Sequence, residues 1–139
     1  MSDQSASDCI FCGIVAGSIP SKRVLETETC LAFLDIFPAS KGHTLVIPKK
    51  HVADIHHADA ATYSDVAHTA KLVADLLQSK LHSEGTTLFQ MSREAGWQTV
   101  FHLHMHVIPR WAGDGLHKPW DIAAASDEEL SEVLRTLKA

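Results

Sequence analysis

The spacing of apolar residues along the 139-residue chain predicts two helices. From Ala60 to Leu81 apolar side chains recur every three or four positions, which is the period of one helix face. A second segment begins at Ser126, where an S-x-x-E capping box precedes a run of leucine and valine with the same spacing. We therefore expect one long helix and a separate C-terminal helix.

Other parts of the chain have the short, β-branched runs and the flanking turn residues that are typical of strands. These runs cover residues 23–26, 30–36, 43–48, 86–91 and 99–108. Pro48 and Pro109 are expected to close the third and the fifth, because proline cannot continue a ladder. Since the order of elements has no regular βαβ alternation, it favours an α+β class with an antiparallel sheet of about five strands.

Composition agrees with one folded domain. Hydrophobic residues make up 45% of the chain and charged residues 21%, close to the averages of globular proteins. Residues 1–8 are small and polar, so we expect a flexible tail ahead of a single domain over residues 9–139. The net charge of −5 argues against a broad electrostatic surface for a nucleic acid polymer.

Two further expectations concern the compartment. No apolar run approaches the roughly 18 to 20 residues that cross a bilayer, so no membrane partner is expected. Three cysteines cannot form a closed disulfide framework, and the first residues have neither a basic nor an apolar leader region. Both points favour the cytoplasm.

Histidine is unusually frequent: ten are present, more than Phe and Trp combined. His102, His104 and His106 alternate with apolar residues, so in a strand they would share one face while the other face packs on the core. Exposed strand positions usually carry Thr, Lys or Glu, and we therefore favour a chemical role. One metal ion held by all three is a weaker alternative, because evenly spaced side chains on one strand converge poorly.

The segment Phe101-His102-Leu103-His104-Met105-His106-Val107-Ile108-Pro109-Arg110 resembles the signature of the histidine triad (HIT) superfamily of nucleotide-binding proteins. The blocks 9–20, 31–36 and 42–51 are similar to those of its Hint-like bacterial branch. The resemblance covers roughly residues 9–111 and leaves out the tail and the last helix. It implies the HIT-like fold.

The resemblance also implies a mechanism. His104 would attack the α-phosphorus of a bound nucleotide, giving a nucleotidyl-histidine intermediate that water then cleaves. His106 and His43 would contact the phosphate oxygens. Gln98 and Thr99 would add polar contacts, with the Thr99 hydroxyl near the leaving group.

The same resemblance assigns residues to the nucleoside. Asp35 would accept hydrogen bonds from the ribose hydroxyls, and an apolar slot for the base would be formed by Phe11, Ile14, Ile19 and Phe33. Taken without the resemblance, Asp35 is typical of a solvated strand end, and the four apolar residues are typical of a core.

Cys9 and Cys12 form a C-x-x-C pair, which alone fits a redox pair, a metal site or two small buried side chains. The resemblance implies that His51 and His102 complete a Cys₂His₂ structural zinc site. His102 would then be structural, and loss of zinc should loosen the base pocket. Cys30 is expected in the core.

The implied activity is hydrolysis or nucleotidyl transfer on purine nucleotide derivatives, namely phosphoramidates, acyl-adenylates or dinucleoside polyphosphates, by a homodimer. The loop 91–98 departs from the Hint-like pattern, since an Asn is missing and Trp97 replaces a glycine. This departure keeps a second function open: a nucleotide-binding sensor or interaction module with vestigial catalysis. The remaining histidines fit no motif and are expected at the surface: His56, His57, His68, His82 and His117.

Overall fold

The computed structural model describes residues 6–139. The helices are α1 (Ile10–Ala16), α2 (Ala60–Leu81) and α3 (Asp127–Lys138). The strands are β1 (Arg23–Glu26), β2 (Cys30–Leu34), β3 (Thr44–Pro48), β4 (Gly85–Gln90) and β5 (Met105–Arg110). Short 3₁₀ helices occupy Ala6–Asp8 and Glu94–Gly96. Most of the expected tail, residues 1–5, lies outside the described residues.

The five strands form one antiparallel sheet in the order β1-β2-β3-β5-β4. The α+β class with an antiparallel sheet of five strands is confirmed. Alternate residues of β2 face opposite sides of this sheet: Cys30 and Ala32 pack in the cluster that includes α2, whereas Leu31 and Phe33 pack in the cluster that includes α1. Both faces of the sheet are therefore covered, which explains why β2 is apolar at every position.

Helix α2 has the predicted bounds. Its N-cap Asp59 accepts a hydrogen bond from the Thr62 N–H, and His82 ends the helix in the left-handed conformation. Val66 and Val73 are fully buried against the sheet. Each such valine contributes about 1.5–3 kcal/mol of burial free energy, so the amphipathic face, rather than helix propensity, anchors α2.

The predicted strand 99–108 is wrong at both ends. β5 begins only at Met105, because β3 and β4 both reach their last pair with β5 there. Neither ladder of β5 extends to residues 99–104, where the Leu103 N–H donates to the Val52 carbonyl oxygen (2.8 Å). β5 continues through Pro109, whose carbonyl faces the Ser40 hydroxyl (2.7 Å), away from β4, so no ladder donor is lost.

Helix α1 is not among the predicted elements. Each of its seven residues is apolar or glycine, so the sequence shows no helical period. Its N-cap is a sulfur: Cys9 Sγ accepts the Cys12 N–H at 3.3 Å. Gly17 ends the helix with a φ of 84°, which favours glycine. The two cysteines of the C-x-x-C pair thus lie at the N-cap and in the first turn of this helix.

Helix α3 has the predicted capping box at Ser126 and Glu129. None of its side chains is buried, and its apolar ridge is 52–75% exposed; the ridge consists of Leu130, Val133, Leu134 and Leu137. Within residues 6–139 no helix has the length and apolar character needed to cross a membrane.

Candidate active site

A cavity of about 460 Å³ opens between α1, the turn after β2 and the segment that enters β5. The structure brings most of the residues predicted for catalysis and nucleotide binding to its wall, namely Phe11, Ile14, Ile19, Phe33, Asp35, Thr99, His104 and His106. Its volume lies in the usual range for small-molecule sites, and its wall is mainly apolar with a few polar groups at one end.

His104 is buried and its tautomer is fixed by the main chain. Its Nδ1 lies 2.7 Å from the carbonyl oxygen of His102, so Nδ1 carries the proton and donates it. The lone pair is therefore on Nε2. Burial lowers the pKa of His104, which keeps the imidazole neutral at pH 7. A neutral imidazole with a free Nε2 is the form that can act as a nucleophile.

His43 and His106 form a directed hydrogen-bond chain. The Ala39 N–H donates to His43 Nδ1 (2.9 Å), so neutral His43 must carry its proton on Nε2. That nitrogen lies 2.9 Å from His106 Nδ1, which therefore accepts. His106 is left with its proton on Nε2, as a donor for an anionic oxygen.

Burial also lowers the pKa of both imidazoles in this chain: the pKa of His43 falls below its ordinary value, and that of His106 falls to about 4. The Asp35 carboxylate opposes the shift, since its Oδ2 lies 3.5 Å from His43 Nε2. At neutral pH this end of the site thus offers neutral imidazoles beside the Asp35 side chain.

Asp35, His43 and His106 are close enough to share a metal ion. The hydrogen bonds argue against it, because metal binding at His43 Nε2 would move the proton to Nδ1, where it would face the Ala39 N–H. The weaker alternative of one ion held by the three triad histidines is also unsupported. Among the described residues the metal-capable groups separate His102 from His106, and neither contains His104.

The second such group consists of Cys9, Cys12, His51 and His102. Cys9 Sγ lies 3.3 Å from His102 Nδ1, and Cys12 Sγ lies 3.6 Å from the same nitrogen and 3.3 Å from His51 Nδ1. In tetrahedral zinc sites, Zn–S bonds of about 2.3 Å and Zn–N bonds of about 2.0–2.1 Å place sulfur and nitrogen about 3.5 Å apart. The donor set fits a zinc ion.

The surroundings of this cluster also suit a metal. His102 Nε2 donates to the Pro48 carbonyl oxygen (2.8 Å), which leaves Nδ1 as the lone pair turned toward the sulfurs. Burial, together with the neighbouring Cys9 thiol, raises the pKa of Cys12 to about 11. A bound dication would supply the positive charge that deprotonates such thiols.

A HIT domain model matches residues 16–113 of this chain. Over 135 residues the chain is 41% identical to the protein hit of Bacillus subtilis, an alignment that covers 96% of this chain and 92% of that protein. The chain belongs to the HIT family. It is also 39% identical over 126 residues to the adenosine 5'-monophosphoramidase of Schizosaccharomyces pombe, covering 90% of this chain and 92% of that protein.

The family is also represented among similar solved structures. A zinc-bound histidine triad family protein from Mycobacterium smegmatis superposes on this HIT chain with a TM-score of 0.78 and 38% identity, covering 95% of this chain and 94% of that one. The HIT domain match ends at residue 113, so α3 lies beyond it.

Phe11 connects the two groups of site residues in this HIT protein. It lies between the cysteines in sequence, and its ring contacts those of His102, His104 and Phe33 with centroid distances of 5.9, 5.1 and 5.4 Å. The short helix α1 and its N-cap therefore supply both the two cysteines and part of the apolar wall of the cavity.

Gln98 does not reach the cavity. Its Nε2 donates to the carbonyl oxygens of Ala53 (2.6 Å) and Val100 (3.0 Å), and its Oε1 accepts the Arg93 N–H (2.6 Å). The side chain is only 4% exposed. The structure thus uses this amide to hold the loop together, a role that the motif alone does not indicate.

Sequence reasoning overlooked several contributors to the site. Ile36 and Phe37 line the cavity although they are more than 80% exposed, and their only signal is an apolar pair beside Asp35 in a turn. Ala39 contributes through its main-chain N–H, for which a side chain gives no signal. The five unassigned histidines are all exposed, as predicted.

Proposed function

We propose that this HIT protein cleaves purine nucleotide derivatives at the α-phosphate through a nucleotidyl intermediate on His104. The observation that carries the proposal is the hydrogen bond from His104 Nδ1 to the His102 carbonyl, which leaves a neutral Nε2 nucleophile in an apolar cavity. A relative named as an adenosine monophosphoramidase supports this class of substrate. Phosphoramidates, acyl-adenylates and dinucleoside polyphosphates share the scissile bond at phosphorus.

In the first step the lone pair of His104 Nε2 forms a bond to phosphorus while the bond to the leaving group breaks. The leaving group takes up a proton from solvent water, and Thr99 is its polar neighbour at the cavity wall. In the second step water attacks phosphorus, the bond from phosphorus to His104 Nε2 breaks, and the proton of the attacking water passes to the solvent. His106 Nε2–H donates to a phosphate oxygen throughout, so the developing charge is stabilised by a preoriented neutral donor.

The nucleoside would occupy the rest of the cavity. The base fits between the apolar side chains of Phe11, Ile14, Ile19 and Phe33. Asp35 accepts the Phe37 N–H on Oδ1 (2.8 Å), which fixes the carboxylate and leaves lone pairs for the ribose hydroxyls. Gln98 takes no part in this arrangement.

We also propose a structural zinc ion held by Cys9, Cys12, His51 and His102. The sulfur-to-nitrogen distances and the similarity to a zinc-bound family member support it. Zinc would join α1 to the segment that carries the nucleophile. The metal takes no part in the reaction steps.

A homodimer, which the family resemblance implies, is part of the proposal. The exposed apolar ridge of α3 is a surface that a second copy could cover. Light scattering should give about twice the mass of the 15.2 kDa chain. A monomer at micromolar concentration would contradict this point.

The deciding experiment measures AMP release from adenosine 5'-phosphoramidate by wild type, His104→Ala and the control His68→Ala. His68 is an exposed histidine on α2. We expect His104→Ala to lose at least about 100-fold in kcat, and His68→Ala to match wild type. Equal rates for wild type and His104→Ala would refute the nucleophile. AMP binding without any turnover by wild type would instead support the sensor function.

A further inference from the structure

Four consecutive residues after His51 each bond to the loop 91–104, which connects β4 to β5. The bonds join Val52 O to Leu103 N (2.8 Å), Ala53 O to Gln98 Nε2 (2.6 Å), Asp54 Oδ2 to Arg93 Nε (3.1 Å) and Ile55 N to Ser92 Oγ (3.0 Å). The loop 91–104 lies outside the β4–β5 ladder and is held along its length by residues 52–55.

Asp54 is the charged member of this set, and its side chain is 3% exposed. Its Oδ1 accepts the N–H groups of His56 and His57 and faces His57 Nδ1 (2.9 Å), while Oδ2 accepts from Arg93. Burial alone would raise its pKa, but these hydrogen bonds lower the pKa of Asp54 to about 2. The Asp54 carboxylate is therefore ionised, and both of its oxygens accept hydrogen bonds.

Arg93 immediately precedes the short 3₁₀ helix Glu94–Gly96 of the loop. Its backbone has φ 66° and ψ 168°, a conformation that L-residues rarely adopt and that costs about 1–3 kcal/mol. Its carbonyl oxygen accepts the N–H groups of Gly96 and Gln98 (both 3.0 Å), and its own N–H is bonded to Gln98 Oε1. The hydrogen bond from Arg93 Nε to Asp54 Oδ2 fixes the side chain of Arg93 as well.

The loop supplies one side of the cavity and α1 with β2 supplies the other. Thr99 and Val100 line the cavity directly after the segment that Arg93 and Gln98 hold. In the proposed mechanism this is the side of the leaving group, whereas the base and ribose contact α1 and β2. Moving the loop should therefore disturb departure of the leaving group and leave nucleoside binding intact.

We propose that Asp54 and Arg93 are positioning residues that hold the loop 91–104 so that Thr99 faces the leaving group. The inference rests on the proposed function and extends it to residues outside the cavity. The loop departs from the Hint-like pattern, and the contact between Arg93 in the loop and the buried Asp54 outside it would keep the loop in place despite this departure.

The test compares Arg93→Gln with Lys71→Gln, which removes an exposed lysine from its ion pair with Asp75 (2.6 Å) on α2. We expect Arg93→Gln to lower kcat about tenfold while the Kd for AMP stays within about twofold, since small misplacements slow the chemical step. The loss should differ between phosphoramidates whose amine leaving groups differ in size. Lys71→Gln should match wild type.

Asp54→Asn and the double variant Asp54→Asn/Arg93→Gln complete a double-mutant cycle for the two residues. Because both residues act through one contact, the double variant should be about as slow as the slower single variant. Independent, multiplying effects would overturn the proposal. So would an Arg93→Gln enzyme with a kcat within about twofold of wild type, or one whose AMP affinity falls in proportion to kcat.

Hydrogen exchange separates this proposal from the proposed function. In Arg93→Gln the amides of Gln98 and Leu103 should exchange at least about tenfold faster, while Met105 in β5 stays protected. Unchanged exchange at both loop amides would refute the positioning role even in an active enzyme. Absence of turnover by wild type would refute the catalytic part, and exchange would still decide whether the loop is held by Arg93.

Discussion

Replacing His43 tests whether its hydrogen bonds set the protonation of His106. His43→Leu removes the only donor that the structure gives to His106 Nδ1 among the described residues. An unsatisfied buried hydrogen-bonding group costs about 1–3 kcal/mol. Because 1.36 kcal/mol corresponds to a tenfold change in rate, we expect kcat/KM for adenosine 5'-phosphoramidate to fall about 5- to 150-fold.

His43→Gln is the matched variant. A glutamine can place an amide N–H near the position of His43 Nε2 and so keep a donor for His106 Nδ1. We expect its kcat/KM to stay within about twofold of wild type, and therefore above that of His43→Leu. The assay is initial-rate AMP release, accompanied by ¹⁵N NMR of the imidazoles, where wild-type His106 should carry its proton on Nε2.

Two results would refute this reasoning. Equal rates for His43→Leu and His43→Gln would show that the donor to His106 is irrelevant to the reaction. A wild-type His106 with its proton on Nδ1 would show that the Ala39 N–H does not orient the chain of imidazoles.

Cys12→Ser should leave purified protein with clearly less than one equivalent of zinc by metal analysis, and unchanged metal content would contradict the cluster. Gly42→Ala should lower the free energy of unfolding in urea by about 1–3 kcal/mol, because the added Cβ would lie 2.5 Å from Leu81 Cδ1; Gly113→Ala, also at positive φ but without close neighbours, should cost less. Acidification from pH 6.5 to 4 should destabilise the fold. In this range the unfolded chain binds a proton at His106, whereas in the folded chain the pKa of His106 is about 4 and the imidazole stays neutral. His106→Gln should flatten that part of the pH profile, and an identical profile would count against the assignment.

Elements with local signals were predictable from the sequence. The bounds of β1 and α2 and the cap of α3 follow from turn residues, capping side chains and the helical period, all of which act within a few residues. The strand expected over residues 99–108 begins only at Met105, so β5 carries His106 but neither His102 nor His104. Alternation specifies an extended backbone but not a neighbour. Only the folded sheet shows that the ladder between β4 and β5 ends at the pair of Gln90 and Met105.

For the side chains of the candidate site, too, local sequence patterns were predictable and contacts between distant segments were not. The resemblance to a family motif was enough to predict most residues that line the cavity, because a motif specifies side-chain identity. It misplaced Gln98, because the amide is bound by Ala53, which is distant in sequence, and by Arg93 and Val100 of its own loop. It also gave no warning of α1, whose uniform apolarity hides the helical period and whose cap is a cysteine sulfur.

The proton positions of the three fixed imidazoles depend on main-chain atoms: the carbonyls of Pro48 and His102 and the N–H of Ala39. A peptide group stays in place whatever side chain it bears, so these contacts can persist while residues 39 and 48 change during evolution. Point mutation cannot remove the two orienting carbonyls, and only proline at residue 39 would remove the orienting N–H. Ala39→Pro, or an amide-to-ester exchange at residue 39, could therefore invert the tautomer of His43.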